Sequence, residues 1–272
     1  MAVASLGATS NPARSFNLML FAFAFSQAGE LLILPKLSMN GIYWAFIICY
    51  AFGLLFIRWL PARPAGKVDS DIEHASIQQI QIPRFVPWMV LGAVLMTYIN
   101  IGAYWTYIEL ASLDSDATPS WVSKVLVYTS FFSVLGCLFA TVISKRFGLA
   151  RPLLITLIIQ GAVVLMLANG INDRNIIVSL FSFNFLWIFI DVYQMATVAN
   201  VDPAGRYSAL LPGAQGLGQI IGPNLAASIL AAGFGYGGVF VMCAAASAVA
   251  MLIYLAMYLK LKRVSPELAD AS

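Results

Sequence analysis

Apolar residues along this chain fall into eight long runs separated by short polar breaks. The runs cover 15–35, 42–60, 88–110, 121–143, 152–169, 176–198, 208–231 and 237–259. Each is close to the roughly 20 mostly apolar residues that a helix needs to cross a hydrocarbon core ~30 Å thick. They are too long and too continuously apolar for barrel strands, and backbone polar groups in lipid must be satisfied within their own segment. The pattern therefore predicts an all-α integral membrane protein with about eight transmembrane helices.

The polar breaks carry an uneven charge. With the N-terminus placed inside, the inner segments hold Arg14, Arg58, Arg63, Lys67, Arg84, Lys145, Arg146, Arg151, Arg206, Lys260, Lys262 and Arg263. The outer side holds only Lys36, Lys124 and Arg174. This bias predicts both termini in the cytoplasm and a plasma (inner) membrane location. Tyr43, Trp44, Trp88 and Trp121 stand at predicted span starts, where amphipathic rings favour headgroup depth, although aromatic residues also occur throughout the spans.

Composition narrows the classes further. With 61% hydrophobic and 10% charged residues, the chain has too little polar surface for a soluble domain of 272 residues. The net charge of +3 follows from the inner loops, so no nucleic-acid partner is expected. The first run follows Arg14 and contains Ala22-Phe23-Ala24, but it is too long for a signal peptide and Glu30 interrupts it. Cys49, Cys137 and Cys243 are isolated within spans, and His74 lies in a polar loop beside Asp69, Asp71 and Glu73. Neither pattern suggests a zinc site or a disulfide framework, and no metal or cofactor is expected. No G-x-x-x-x-G-K-[ST] loop occurs, which argues against direct ATP drive within this chain.

The longest break, 61–86, is polar and predicted to be cytoplasmic. It divides the chain into 1–60 with two spans, the loop 61–86, a six-span block 87–263 and a cytoplasmic tail 264–272. A weak repeat links the first span to the seventh. Asn11-Pro12-Ala13-Arg14 precedes one and Asp202-Pro203-Ala204-Gly205-Arg206 the other, and thirteen residues beyond each Arg lie Gln27 and Gln219. Pro35 and Pro223 follow.

Three segments extend this pattern: Gly102-Ala103-Tyr104-Trp105-Thr106-Tyr107-Ile108-Glu109, Lys145-Arg146-Phe147-Gly148-Leu149-Ala150-Arg151-Pro152, and Asp202 to Arg206 leading into Leu211-Pro212-Gly213-Ala214-Gln215-Gly216-Leu217-Gly218. In order and topology the chain resembles helices five to twelve of a major facilitator superfamily transporter, over almost its whole length. The resemblance implies a partial fold of that family: the last two helices of an N-terminal bundle, then a complete C-terminal six-helix bundle related to it by pseudo-two-fold symmetry. It also implies a cytoplasmic gating loop with Arg146 and Gly148, and with Arg206 in the other inner loop. Here Lys145, Leu149 and Thr141 depart from the family's G-x-x-x-D-R-x-G-R pattern. Anchoring of topology by Lys145, Arg146 and Arg151 is the alternative reading.

Charges inside a span cost ~2.5–3.5 kcal/mol at the bilayer centre, so each is a functional candidate. Asp191 lies well inside the sixth run, with Asn184, Trp187 and Gln194 near the same helical face. A face of this kind suits a cavity or an interhelical hydrogen bond. Glu109 lies near the outer end of the third run, on one face with Trp105, Gly102 and Tyr98. Glu30, with Gln27, is about a turn from the outer end of the first. In the seventh run Gly218, Gly222 and Ala226 form a small-residue stripe that admits a close helix neighbour. The resemblance implies that Gln215 and Gln219, with Gln27 at the matching place, face substrate; bonding between helices is the alternative.

These features give the expected function: a secondary active transporter of a small solute by alternating access, ion- or proton-coupled as a symporter or antiporter, with no enzymatic activity. Its expected partners are the solute, protons and the lipid bilayer. The alternative is a truncated, non-transporting membrane protein or partner subunit, with Met1 at the end of a fourth helix and the missing N-terminal helices as partner. A membrane enzyme would need a cluster of nucleophile, base or metal ligands that the sequence does not offer.

Overall fold

A computed structural model of the chain describes residues 12–56, 83, 85–115, 117–202 and 206–264. Most of the long loop 61–86, including His74, lies outside the described residues, as do Pro203-Ala204-Gly205 and 265–272. The described residues form eight α-helices and no strand. They are α1 (Pro12–Ile33), α2 (Met39–Leu55), α3 (Phe85–Asp114), α4 (Pro119–Phe147), α5 (Ala150–Ala168), α6 (Asp173–Val201), α7 (Leu211–Ala231) and α8 (Gly235–Val264).

Five of these are long and apolar enough to cross a membrane: α3, α4, α5, α6 and α8. α2 is apolar apart from Asn40 in its first turn but has only 17 residues. α1 carries Gln27 and Glu30, and α7 carries Gln215, Gln219 and Asn224, so both are broken by polar groups. The outer faces of the bundle display large apolar side chains such as Ile155, Ile158, Leu138, Phe139, Val241 and Leu252. Apolar surface on that scale suits lipid and not water.

Local chemistry sets the helix ends. Asn172 accepts from Asn175 N at 3.0 Å and starts α6, and Ser38 accepts from Gly41 N at 3.2 Å and starts α2. Pro119 and Pro212 occupy first-turn positions, where a missing N–H costs nothing. Gly148, at φ 69°, closes α4 in a conformation that favours glycine. Asp202 governs the entry to α7. It is buried, and its carboxylate accepts from the backbone N–H of Arg206 (3.1 Å), Tyr207 (2.7 Å) and Ser208 (2.7 Å).

α3 and α6 are the most deeply buried helices. α7 and α8 pack along α3, α5 packs between α8 and α6, and α4 covers α6. α1 lies across α4 and α6, whereas no residue of α2 is buried. The α3–α7 contact is close because it is built on glycine. A Cβ on Gly218 would stand 2.6 Å from Tyr98 Cβ, and one on Gly102 would stand 2.8 Å from Gln219 Cα. A Cβ on Gly222 would collide with the Ile99 carbonyl oxygen. Gly218, Gly222 and Ala226 are buried on this face, as their four-residue spacing predicts.

Candidate solute site

The close approach of α7 to α3 brings three polar side chains together beside α6. Tyr98 donates its hydroxyl to Asp191 Oδ1 at 2.8 Å. The Gln215 amide donates to Tyr98 Oη at 2.9 Å and lies 3.2 Å from Asp191 Oδ1. Tyr98 and Asp191 are 5% and 4% exposed, so this acid sits almost wholly inside protein. None of the interactions found for Asp191 is an ion pair with Lys or Arg; its hydrogen bonds come from neutral donors. A buried carboxylate held in that way is a group whose charge is sensitive to what arrives beside it.

One turn further along the same three helices is a cavity of about 290 Å³. α3 contributes Ile101, Gly102, Trp105 and Thr106, α6 contributes Trp187, and α7 contributes Gln219. Gln27 of α1 closes the fourth side. Tyr98, Asp191 and Gln215 each stand four residues, about one turn, from a lining residue of the same helix: Gly102, Trp187 and Gln219, respectively. The triad lies one turn from the cavity along each helix and is not among its lining residues.

The walls are aromatic. Trp105 and Trp187 stand with ring centroids 5.9 Å apart, and Phe183 and Phe23 pack edge-on against them. Tyr104 stacks on Phe183 at 3.7 Å behind Trp105, and its hydroxyl bonds to Ser179 at 2.8 Å. Several polar atoms around this cavity have no hydrogen-bond partner. They are Gln27 Oε1, Trp105 Nε1, Trp187 Nε1 and both amide atoms of Asn184, one turn from Trp187. Each such atom costs ~1–3 kcal/mol when desolvated, and no lipid can relieve it. Unused donors and unused acceptors around one cavity are what a solute with complementary polar edges would satisfy.

Most of the residues singled out by sequence fall in this region: Gln27, Gln219 and Trp105 line the cavity, Asp191, Tyr98 and Gln215 form the cluster one turn away, and Asn184 lies one turn from Trp187. Gln194 is turned aside and donates to Thr97 Oγ1 at 2.8 Å. Glu30 is exposed and accepts from Ser26 Oγ at 3.2 Å. Glu109 is exposed near the end of α3 and does not line the cavity. Gly148 caps α4 and Arg206 is exposed, its backbone N–H held by Asp202; the side chain of Arg146 lies outside the described residues. Sequence reasoning did not select Thr106 or Phe23, which carry no signal beyond their spans. No three His, Cys, Asp or Glu side chains among the described residues are grouped to hold a metal ion.

Comparison with known proteins gives no match: no family model, no curated protein and no solved structure matches this chain.

Proposed function

We propose that this chain is a secondary transporter of the major facilitator type, moving a small solute through the α1–α3–α6–α7 cavity by alternating access. The observation that carries the reading is the cavity lined by Trp105, Trp187, Gln27 and Gln219, one turn from the buried Asp191 cluster, between helices of a bundle with an apolar outer surface. In this reading all eight helices cross the membrane, the termini face the cytoplasm of a plasma (inner) membrane, and 61–86 is the loop joining two bundles. The Lys and Arg distribution supports that orientation. Asp191 carries the coupling proton: solute and proton compete for, or share, the hydrogen bonds now made by Tyr98 and Gln215.

The close glycine contact between α3 and α7 supports motion as one unit, since backbones in contact have little room to slide. α1 makes the smaller contact with the rest and is the element across which the cavity would open.

The test is flux in proteoliposomes with an imposed proton gradient, over a panel of solutes chosen by quenching of Trp105 and Trp187 fluorescence. Gradient-driven uptake that disappears in Asp191→Asn, while solute binding persists, supports the reading. Solute-independent proton leak, or full uptake by Asp191→Asn, contradicts it.

A second reading, a subunit that works only with a partner membrane protein, is favoured by α2. Its 17 mostly apolar residues include no buried side chain. Purification of a stable hetero-complex that alone supports flux would favour it.

A further inference from the structure

A second set of unpaired polar atoms lies on the other side of Asp191, away from the cavity. Gln194, one turn along α6, has its Oε1 unpaired, and the Tyr254 hydroxyl of α8 beside it is also unpaired. From Gln194 the polar groups continue. Its amide donates to Thr97, and one turn along α3 the Asn100 amide donates to Ser247 Oγ at 2.9 Å. Ser247 Oγ donates in turn to Gln160 Oε1 at 3.3 Å. Asn100 Oδ1 and Gln160 Nε2 are left unpaired. This seam runs through α3, α5, α6 and α8, with Thr97 fully buried and Tyr254 2% exposed.

Four orphaned atoms along one seam point to a missing ligand of small size and mixed donor and acceptor character. Water fits: a buried water makes two to four hydrogen bonds and is retained where polar groups are otherwise unsatisfied. Tyr254 also lines a small pocket at the end of the bundle where α5 begins and α6 and α8 finish, together with Thr197 and Asn200. Its volume of about 40 Å³ holds roughly three or four waters at ~10–15 Å³ each.

We infer that the Gln194–Tyr254 seam is an internal water site joining this end pocket to Asp191. It gives the carboxylate a route to one face of the membrane that is separate from the solute cavity. A proton entering at the pocket passes along water and the Tyr254 hydroxyl to an Asp191 carboxylate oxygen. The water site stands on the orphaned atoms alone; its use for proton transfer rests on the coupling role proposed for Asp191.

The experiment is X-ray hydroxyl-radical labelling of the full chain in lipid nanodiscs, which oxidises side chains touching bound water. Tyr104 is the matched reference, since it is buried to the same degree but its hydroxyl is paired with Ser179. Tyr254 is expected to label faster than Tyr104 in the wild type. In Gln194→Leu, which fills the seam with an apolar side chain of similar size, Tyr254 labelling falls to the Tyr104 rate. Equal rates for Tyr254 and Tyr104 in the wild type would overturn the water site. Fast Tyr254 labelling that survives Gln194→Leu would overturn its connection to Asp191. A rise in Tyr104 labelling identifies a variant that has unfolded, and the wild-type comparison then decides. Neither reading depends on transport, so failure of the transporter proposal would be seen separately.

Discussion

Replacing Gly218 with alanine adds one methyl group at the point where α7 meets α3. The new Cβ would stand 2.6 Å from Tyr98 Cβ, 2.7 Å from the Leu95 carbonyl oxygen and 2.9 Å from the Tyr98 carbonyl carbon. Backbone atoms cannot yield as a flexible side chain does, so the helices must separate by about 1 Å to restore van der Waals contact. Gln215 sits one turn away at 2.9 Å from Tyr98 Oη and 3.2 Å from Asp191 Oδ1. That separation carries both distances past hydrogen-bonding range. Overpacking of this kind costs ~1–3 kcal/mol. Two lost bonds between membrane helices add ~0.6 kcal/mol each. The sum is about 2–4 kcal/mol. Gly216 is the internal control: the same substitution two residues away meets no atom within 4 Å. There Gly→Ala is expected to be neutral or to stabilise by ~0.5–1 kcal/mol through helix propensity. Thermal unfolding in one detergent should place Gly218→Ala well below wild type and Gly216→Ala at or above it. Equal unfolding temperatures for the two variants would refute the claim that α3 and α7 are joined by backbone contact.

Two further outcomes follow from the same geometry. Asp202→Ala removes the acceptor of three backbone N–H groups at the entry to α7, and hydrogen bonds to a charged group contribute ~1.5–3 kcal/mol each at most. A lower unfolding temperature and faster proteolysis near residue 206 are expected; an unchanged protease pattern would contradict the assignment. Tyr98→Phe takes one donor from Asp191 while leaving Gln215 in reach. The fold should survive, with solute binding weakened by about tenfold, the effect of one ~1.4 kcal/mol hydrogen bond; solute affinity equal to wild type would place Tyr98 outside the site.

Some of this arrangement is visible in the sequence because lipid simplifies the rules. A carboxylate in the middle of an apolar run must have partners, and Asp191 has them in Tyr98 and Gln215. Glycines at four-residue spacing must face a neighbour, and Gly218 and Gly222 face α3. Gln27 and Gln219, matched by the weak repeat and expected from the resemblance to face substrate, both border one cavity. Other features depend on which helices touch, and one helix's periodicity does not carry that information. Glu109 shares a face with Trp105 by spacing, yet α3 carries it past the end of the cavity into an exposed position. Gln194 is one turn from Asp191 but points to Thr97 and Tyr254. The seam of Asn100, Ser247 and Gln160 was detectable only as amides within apolar runs, since the contacts that join them cross three helices.

A solute path through this bundle requires the surface of α7 that carries Gln219 to face a water-filled space within the membrane. Single cysteines at Gln219, Leu217 and Ile220, in a background with Cys49, Cys137 and Cys243 replaced, can be exposed to a small hydrophilic thiol reagent in intact proteoliposomes. Leu217 and Ile220 are 56% and 63% exposed on the apolar exterior and would face lipid, where no thiolate forms. Rapid labelling is expected at position 219 and none at 217 or 220. Equal labelling at all three positions, or none at 219, would contradict such a path.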